Sequence, residues 1–182
     1  TDLSRCPWRA AARVPIGTHR RADGSTIGRG ITVVGIPFGD PSYMSAVLSA
    51  KADEIVSYIT LTVDVFHSQL RSRHALWSVL YGCCKSRFDW WLRHCLPDDT
   101  RGAAGSIDAA IITAAESIGY RFMLQDDIVR RRFRLSCRRG GCGMPSLVDL
   151  APAAYAASFI EAAETFTTST QSGFFEGLVS LF

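Results

Sequence analysis

Two pairs of adjacent carboxylates, Asp98-Asp99 and Asp126-Asp127, are the residues of this sequence best suited to hold a divalent metal, and metal held by paired acids is what drives nucleotidyl transfer. Each pair also has a simpler reading. Asp98-Asp99 follows Pro97 at a helix end and suits a turn and cap for what comes next. Asp126-Asp127 stands three to four residues before Arg130 and Arg131, a spacing at which solvent-exposed ion pairs form along a helix. Cys137 and Cys142 offer two thiolates, but a structural zinc site needs four ligands in compact spacing, and His19, His67, His74 and His94 are scattered. Cys83-Cys84 reads as two small core residues on a helix. Neither a G-x-S-x-G elbow nor a G-x-x-x-x-G-K-[ST] phosphate loop occurs, and Gly24–Gly30 reads as a linker. No catalytic residue and no metal ligand is assigned.

The densest chemistry is basic. Arg130-Arg131-Arg132-Phe133-Arg134 is followed by Arg138-Arg139 and then by Gly140-Gly141-Cys142-Gly143, a loop whose amides a phosphate could approach without side-chain hindrance. A solvated face answering Asp126 and Asp127 is the competing reading. Lysine appears only at Lys51 and Lys85, so arginine carries nearly all the positive charge, a bias toward forked donors that suit phosphate, or toward a GC-rich coding sequence. A net charge of +3 permits nucleic-acid binding without requiring it.

Helices must position most of these groups. Residues 1–30 carry Arg5, Arg9, Arg13, Arg20, Arg21 and Arg29 without a sustained apolar period, and are expected to form a loose basic arm. Ile31–Gly39 is β-branched and closed by Pro37 and Gly39, the pattern of a strand or half a hairpin, whose partner is expected upstream of Thr1. Ser42 is the expected cap of a helix running to about Val63 on Met44, Val47, Leu48, Ile55 and Ile59. A second helix spans Ser72–Cys95 with Leu76, Leu80, Cys83, Cys84, Phe88, Trp91 and Cys95 inward and Arg71, Arg73, Lys85, Arg87 and Arg93 outward; Gly82 or Lys85-Ser86 is expected to bend it and Pro97 to end it. Trp77, Trp90 and Trp91 are expected in the core or at a domain interface. A third helix opens at Ser106-Ile107-Asp108 and stops at Gly119, a short one covers Met123–Arg132, and a capped, alanine-rich one runs from Ser146 to Phe166. The fold class is therefore mainly α, about five helices behind one or two strands, with a helical domain over 31–166 and a polar tail over 167–182.

An apolar fraction of 47% beside 20% charged residues is enough for one core and excludes wholesale disorder. The six cysteines follow no secretory signal, and a reduced, intracellular chain, nuclear or cytoplasmic, is expected. Thr1-Asp2-Leu3 has no initiator Met, which suggests an excised piece. No apolar run reaches the length that spans a bilayer.

Three stretches, in order, resemble the region downstream of the palm in non-LTR, LINE-like reverse transcriptases. Val33–Asp40 is similar to the family's L-G-[VI]-x-[LF]-[GD] segment, the primer-grip hairpin. Ala75–Tyr81 with Arg87–Arg93 resembles a helix that ends in an aromatic-rich motif, N-Y-x-x-R. Leu135–Leu147 followed by Ala151–Ser158 resembles L-P-x-x-x-G-G-L-G-[LM]-x-S and the A-A-Y-L-A-S helix after it, with Ser136 where the family has Pro, Cys142 where it has Leu and, in the second stretch, Asp89 where it often has Asn.

The resemblance covers about residues 30–166 and implies a thumb-like helical segment that grips an RNA–DNA or DNA duplex by its backbone. Val34, Gly35, Ile36, Pro37 and Phe38 would lie near a primer terminus, while Arg71, Arg73, Arg87, Arg130, Arg131, Arg138 and Arg139 contact phosphate. The family's catalytic aspartates, and the Mg they hold, belong to a palm domain preceding this segment, which would be its partner; polymerisation by the segment alone is not expected. Two other classes stay open: a helical protein-interaction module or inactive remnant, and a metal-dependent enzyme using the aspartate pairs or Cys137 and Cys142.

Overall fold

The front of the molecule is built by a turn that needs left-handed backbone at two consecutive positions. In the computed structural model, which describes residues 17–20, 26–120 and 126–168, β1 (Gly17–Arg20), β2 (Thr26–Val33) and β3 (Ile36–Gly39) form an antiparallel sheet in that order. Val33 pairs with Ile36 and Ile31 with Phe38, so Val34-Gly35 is a two-residue loop. Both loop residues have positive φ, 51° and 84°, as the type I′ hairpin turn requires.

Three expectations change here. Ile31–Gly39 is not one strand awaiting a partner before Thr1: the turn folds it back on itself, and β2 finds its second neighbour in β1. The expected arm over 1–30 contains β1 and much of β2; its remaining positions, 1–16 and 21–25, lie outside the described residues. Gly28 and Gly30 are strand residues rather than linker, because the sheet presses on Tyr43; a Cβ on Gly30 would come within 2.1 Å of that ring.

Helix α1 (Pro41–Val63) begins with proline in its first turn, where the missing N–H is no loss. Its N-cap is Asp40 and not Ser42. The Asp40 carboxylate does not cap; it accepts a hydrogen bond from the backbone N–H of Arg29 at 2.9 Å and ties the helix start to β2. Leu48, Ala52, Ile55 and Ile59 form the buried face, and the helix continues as a π-helical turn, Asp64–Gln69.

The predicted Ser72–Cys95 helix is broken in two. Ser72 caps α2 (Arg73–Val79) by accepting from the Ala75 N–H, a π-helical turn (Leu80–Cys84) follows, and α3 (Asp89–His94) resumes after the bend expected near Lys85-Ser86. Leu76, Leu80, Cys84, Phe88 and Leu92 are all fully buried across the break, so the apolar pattern survives the loss of helical continuity.

The preceding helix ends at His94, before Pro97 as expected, and Pro97 also starts the next one. Helix α4 (Pro97–Ala115) opens well before the predicted Ser106, with Asp98 and Asp99 in its first turn, where the helix dipole favours negative charge. A π-helical turn (Glu116–Tyr120) closes it, and Gly119, at φ 122°, occupies the stop position expected of it.

Helix α5 spans Asp127–Arg134; the predicted start at Met123 lies outside the described residues. After a short 3-10 turn (Cys137–Arg139), α6 (Leu147–Thr168) runs from the predicted cap Ser146, whose hydroxyl accepts from the Asp149 N–H, and passes the predicted tail boundary at 167. The architecture is mainly α behind a short N-terminal hairpin, as the periodicity implied. α1, α4 and α6 enclose the chain of buried side chains from α2 and α3. Among the described residues, no helix is long and apolar enough to cross a membrane.

Candidate nucleic-acid interface

Arg73, Trp77, Tyr81 and Lys85 recur every four residues from α2 through the π-helical turn to its C-cap, and each meets chain further downstream. The guanidinium of Arg73 reaches Gly119, with Nη1 3.7 Å from where a Cβ there would stand. Trp77 packs edge-on against Phe133 of α5, ring centroids 6.0 Å apart. Tyr81 lies against Gly143, where a Cβ would approach its ring to 3.0 Å. Lys85 places its ammonium 3.4 Å from the Tyr81 ring centroid and donates to the Gly143 carbonyl. One ridge thus seats both α5, which carries Arg130 and Arg131, and the glycine loop, which follows Arg138 and Arg139.

Within that neighbourhood the arginines divide. Arg132 donates from Nε to the Gly140 carbonyl at 3.1 Å, and Arg134 pairs with Asp149 at 3.1 Å, so these two brace the loop. Arg131, Arg138 and Arg139 are exposed, and Arg130 is half-buried.

The glycines serve the loop and not an anion. The N–H groups of Gly140, Gly141 and Gly143 donate to the carbonyls of Cys137, Ser136 and Leu135, and the Arg139 N–H to that of Ser136, so the expected cradle of free amides is replaced by internal turns. Gly140 and Gly143 take left-handed backbone, φ 75° and 71°, and a Cβ on Gly141 would stand 2.1 Å from the Leu135 carbonyl oxygen.

The remaining sites are placed apart from this ridge or beside it. Arg71 is exposed with an unusual positive φ of 51° just before α2. Arg87 turns toward α1, its guanidinium 3.8 Å from the Tyr58 ring centroid. In the hairpin, Val34 is exposed at the tip and Gly35 hands its carbonyl to the Trp91 indole N–H at 2.9 Å; Ile36 packs on the core, Pro37 is buried and Phe38 is half-exposed. Trp77 and Trp91 are partly buried against neighbours, as expected of core-edge aromatics, whereas Trp90 is 44% exposed.

The acids take structural places. Asp98 pairs with Arg101 at 3.5 Å on the surface, and Asp126 is the N-cap of α5, its Oδ1 accepting from the Ile128 N–H at 2.7 Å. Among the described residues no cluster of three His, Cys, Asp or Glu side chains is arranged to hold a metal. The adjacent cysteines split: Cys84 is buried and Cys83 exposed, so only one is a core residue. Burial pushes the thiols of Cys84 and Cys95 up to about 11, which keeps both protonated and poor as nucleophiles at neutral pH.

Asp108 is the polar residue whose place the sequence conceals. It lies inside α4, not at a helix start, and is buried. Its Oδ2 accepts from the Ser146 hydroxyl at 2.6 Å and its Oδ1 from the Leu147 N–H at 2.9 Å, so a carboxylate of one helix caps the start of another. Nothing in the spacing of Asp108 and Ser146 signals that meeting. Comparison with family models, with curated proteins and with solved structures finds no match to this chain.

Proposed function

We propose that this chain is a nucleic-acid-gripping helical segment of the kind that follows the palm of a retrotransposon-type reverse transcriptase, inactive as a polymerase by itself. The observation that carries the reading is the ridge of α2: it fixes the arginine-rich α5 and the glycine loop side by side and leaves Arg131, Arg138 and Arg139 facing solvent. Exposed guanidinium groups on a braced scaffold suit phosphate, because the fork is always charged and loses little freedom on binding. The hairpin presents Val34–Phe38 as a separate element held to α3 by Trp91. The ligand is an RNA–DNA or DNA duplex met through its backbone, and the protein partner is a palm domain that would bring the catalytic carboxylates. Asp98 pairs with Arg101 and Asp126 caps α5 at the Ile128 N–H, and no chemical step is assigned to either.

Fluorescence anisotropy of the full chain with a labelled RNA–DNA hybrid over a salt series tests this. Binding should weaken steeply with salt, and Arg138→Ala with Arg139→Ala should lower the slope of log K against log[salt] by about two. A hybrid that does not bind, or binds with no dependence on salt, overturns the proposal.

A second reading, a protein-interaction module, is favoured by one feature. Phe159 and Ile160 of α6 are 64% and 57% exposed on a helix whose last turns carry acids and no cations, a surface suited to protein and not to phosphate.

A further inference from the structure

We infer that Trp90, beside the hairpin tip, is a stacking site for a terminal or unpaired nucleobase. The inference rests on the nucleic-acid reading and names a contact which that reading leaves open.

Trp90 is a large aromatic held still yet left open. His94 covers part of it, ring centroids 4.0 Å apart, and the imidazole is itself fixed: its Nδ1 lies 2.8 Å from the Trp90 carbonyl, which can only accept, so Nδ1 carries the proton. The indole nitrogen sits 3.9 Å from where a Cβ on Gly35 would be, which places the ring against the turn. The turn is anchored in its own right. Trp91 donates to the Gly35 carbonyl while stacking on Phe88, a fully buried core residue, at 5.4 Å. What remains of Trp90, 44% of its surface, faces solvent next to Val34, itself 79% exposed.

Two further observations choose the ligand. Val34 is β-branched and left-handed at φ 51°, a combination that is a genuine outlier and gathers at functional sites. An asparagine or glycine would make the same turn at lower cost, so the exposed isopropyl group needs a use. Trp90 has a charged neighbour on its own short helix: Arg93, three residues on, is exposed, while Asp89 just before it is half-buried. A flat π-face bearing a negative charge fits that setting, and a nucleotide has both.

The test uses the full chain, a blunt RNA–DNA hybrid, the same hybrid with one unpaired 3′ nucleotide, and a version in which that nucleotide is abasic. Trp90→Ala should weaken binding of the overhang about tenfold with no change in salt slope, and Trp90→Phe should retain most of the affinity. Wild type should bind the abasic overhang about tenfold more weakly than the intact one, a comparison that requires no change in the protein, and on the abasic ligand the difference between wild type and Trp90→Ala should vanish. Equal affinity of wild type and Trp90→Ala for the overhang, with binding still salt-dependent, overturns the stacking site alone. No binding by wild type to any of the three ligands overturns both this inference and the reading beneath it.

Discussion

At the junction of α4 with α6, the carboxylate of Asp108 is buried and the Ser146 hydroxyl and the first amides of α6 close on it; at the hairpin tip, Val34 stands in water on a backbone that valine disfavours. The first region spends its polar groups on one another and leaves nothing for a ligand. The second keeps strain and apolar surface where a ligand can reach them. The glycine loop sides with the first: although its composition suggests an anion cradle, its amides are consumed by its own turns, and only the arginine side chains around it look outward. In this molecule, satisfaction of polar groups marks what holds the fold, and exposed strain marks what is left to act.

The contrast is broken most severely at Asp108. Replacing it with alanine leaves a hydroxyl and backbone amides unpartnered in the interior, and Asp108→Ala should destabilise the fold by about 3 kcal/mol. Asp108→Asn, which can still accept, should lose distinctly less. Urea denaturation followed by circular dichroism measures both, and equal losses in the two variants would show that the carboxylate's charge, not its acceptor geometry, matters at the α6 terminus.

Gly141 comes next. A methyl group there meets the Leu135 carbonyl, backbone that cannot swing aside, so Gly141→Ala should lower stability by roughly 2 kcal/mol through a forced shift of the loop. Its neighbour Gly140 has open space around it but a φ of 75°, and Gly140→Ala should cost about 1 kcal/mol through the backbone alone. A reversed order, read from urea midpoints, would mean that the close approach to Leu135 does not exist.

At the hairpin tip the sign turns over. Val34→Asn removes a β-branched residue from left-handed backbone and should stabilise the chain by about 1 kcal/mol. A loss of stability, measured the same way, would mean that the valine side chain is packed after all.

Much of this organisation was legible in the residues, for reasons that also mark where legibility ended. The buried series Leu76, Leu80, Cys84, Phe88 and Cys95 announced helical structure by spacing, though not the break within it, since burial on one face is a local pattern. Pro97 was legible as the end of one helix but not as the start of another, because a missing N–H suits both and only the neighbours in space decide. Val34-Gly35 was missed as a turn because valine is a poor turn former; Gly35 alone carried the signal, and the strain that hides the turn is what sets it apart. The arginine run was visible, but its division into bracing Arg132 and Arg134 and outward Arg131, Arg138 and Arg139 depends on the Gly140 carbonyl and the Asp149 carboxylate, which the folded loop and α6 bring within reach. Asp108 and Ser146 are joined by the fold alone.

The smallest effect tests the border between the two regions, at Asp89. Burial raises the pKa of its carboxyl, opposed by Arg93 and Lys85, so the folded protein holds the proton to higher pH than the unfolded chain does. The sign follows from proton uptake: the folded state binds more protons, so the contribution is favourable below the ordinary carboxylate range and is lost as pH rises through the raised value. Asparagine does not titrate. Asp89→Asn should therefore gain stability over wild type near neutrality and lose that advantage on acidification, when the native aspartate is itself neutral. Because Asp89 opens α3, where the helix dipole welcomes a negative charge, the gain at neutral pH should be modest. Urea midpoints of both proteins from neutral pH into the carboxylate range would decide it: a gap that widens on acidification would mean that Arg93 and Lys85 outweigh burial, and that α3 depends on a charged aspartate beneath its exposed tryptophan.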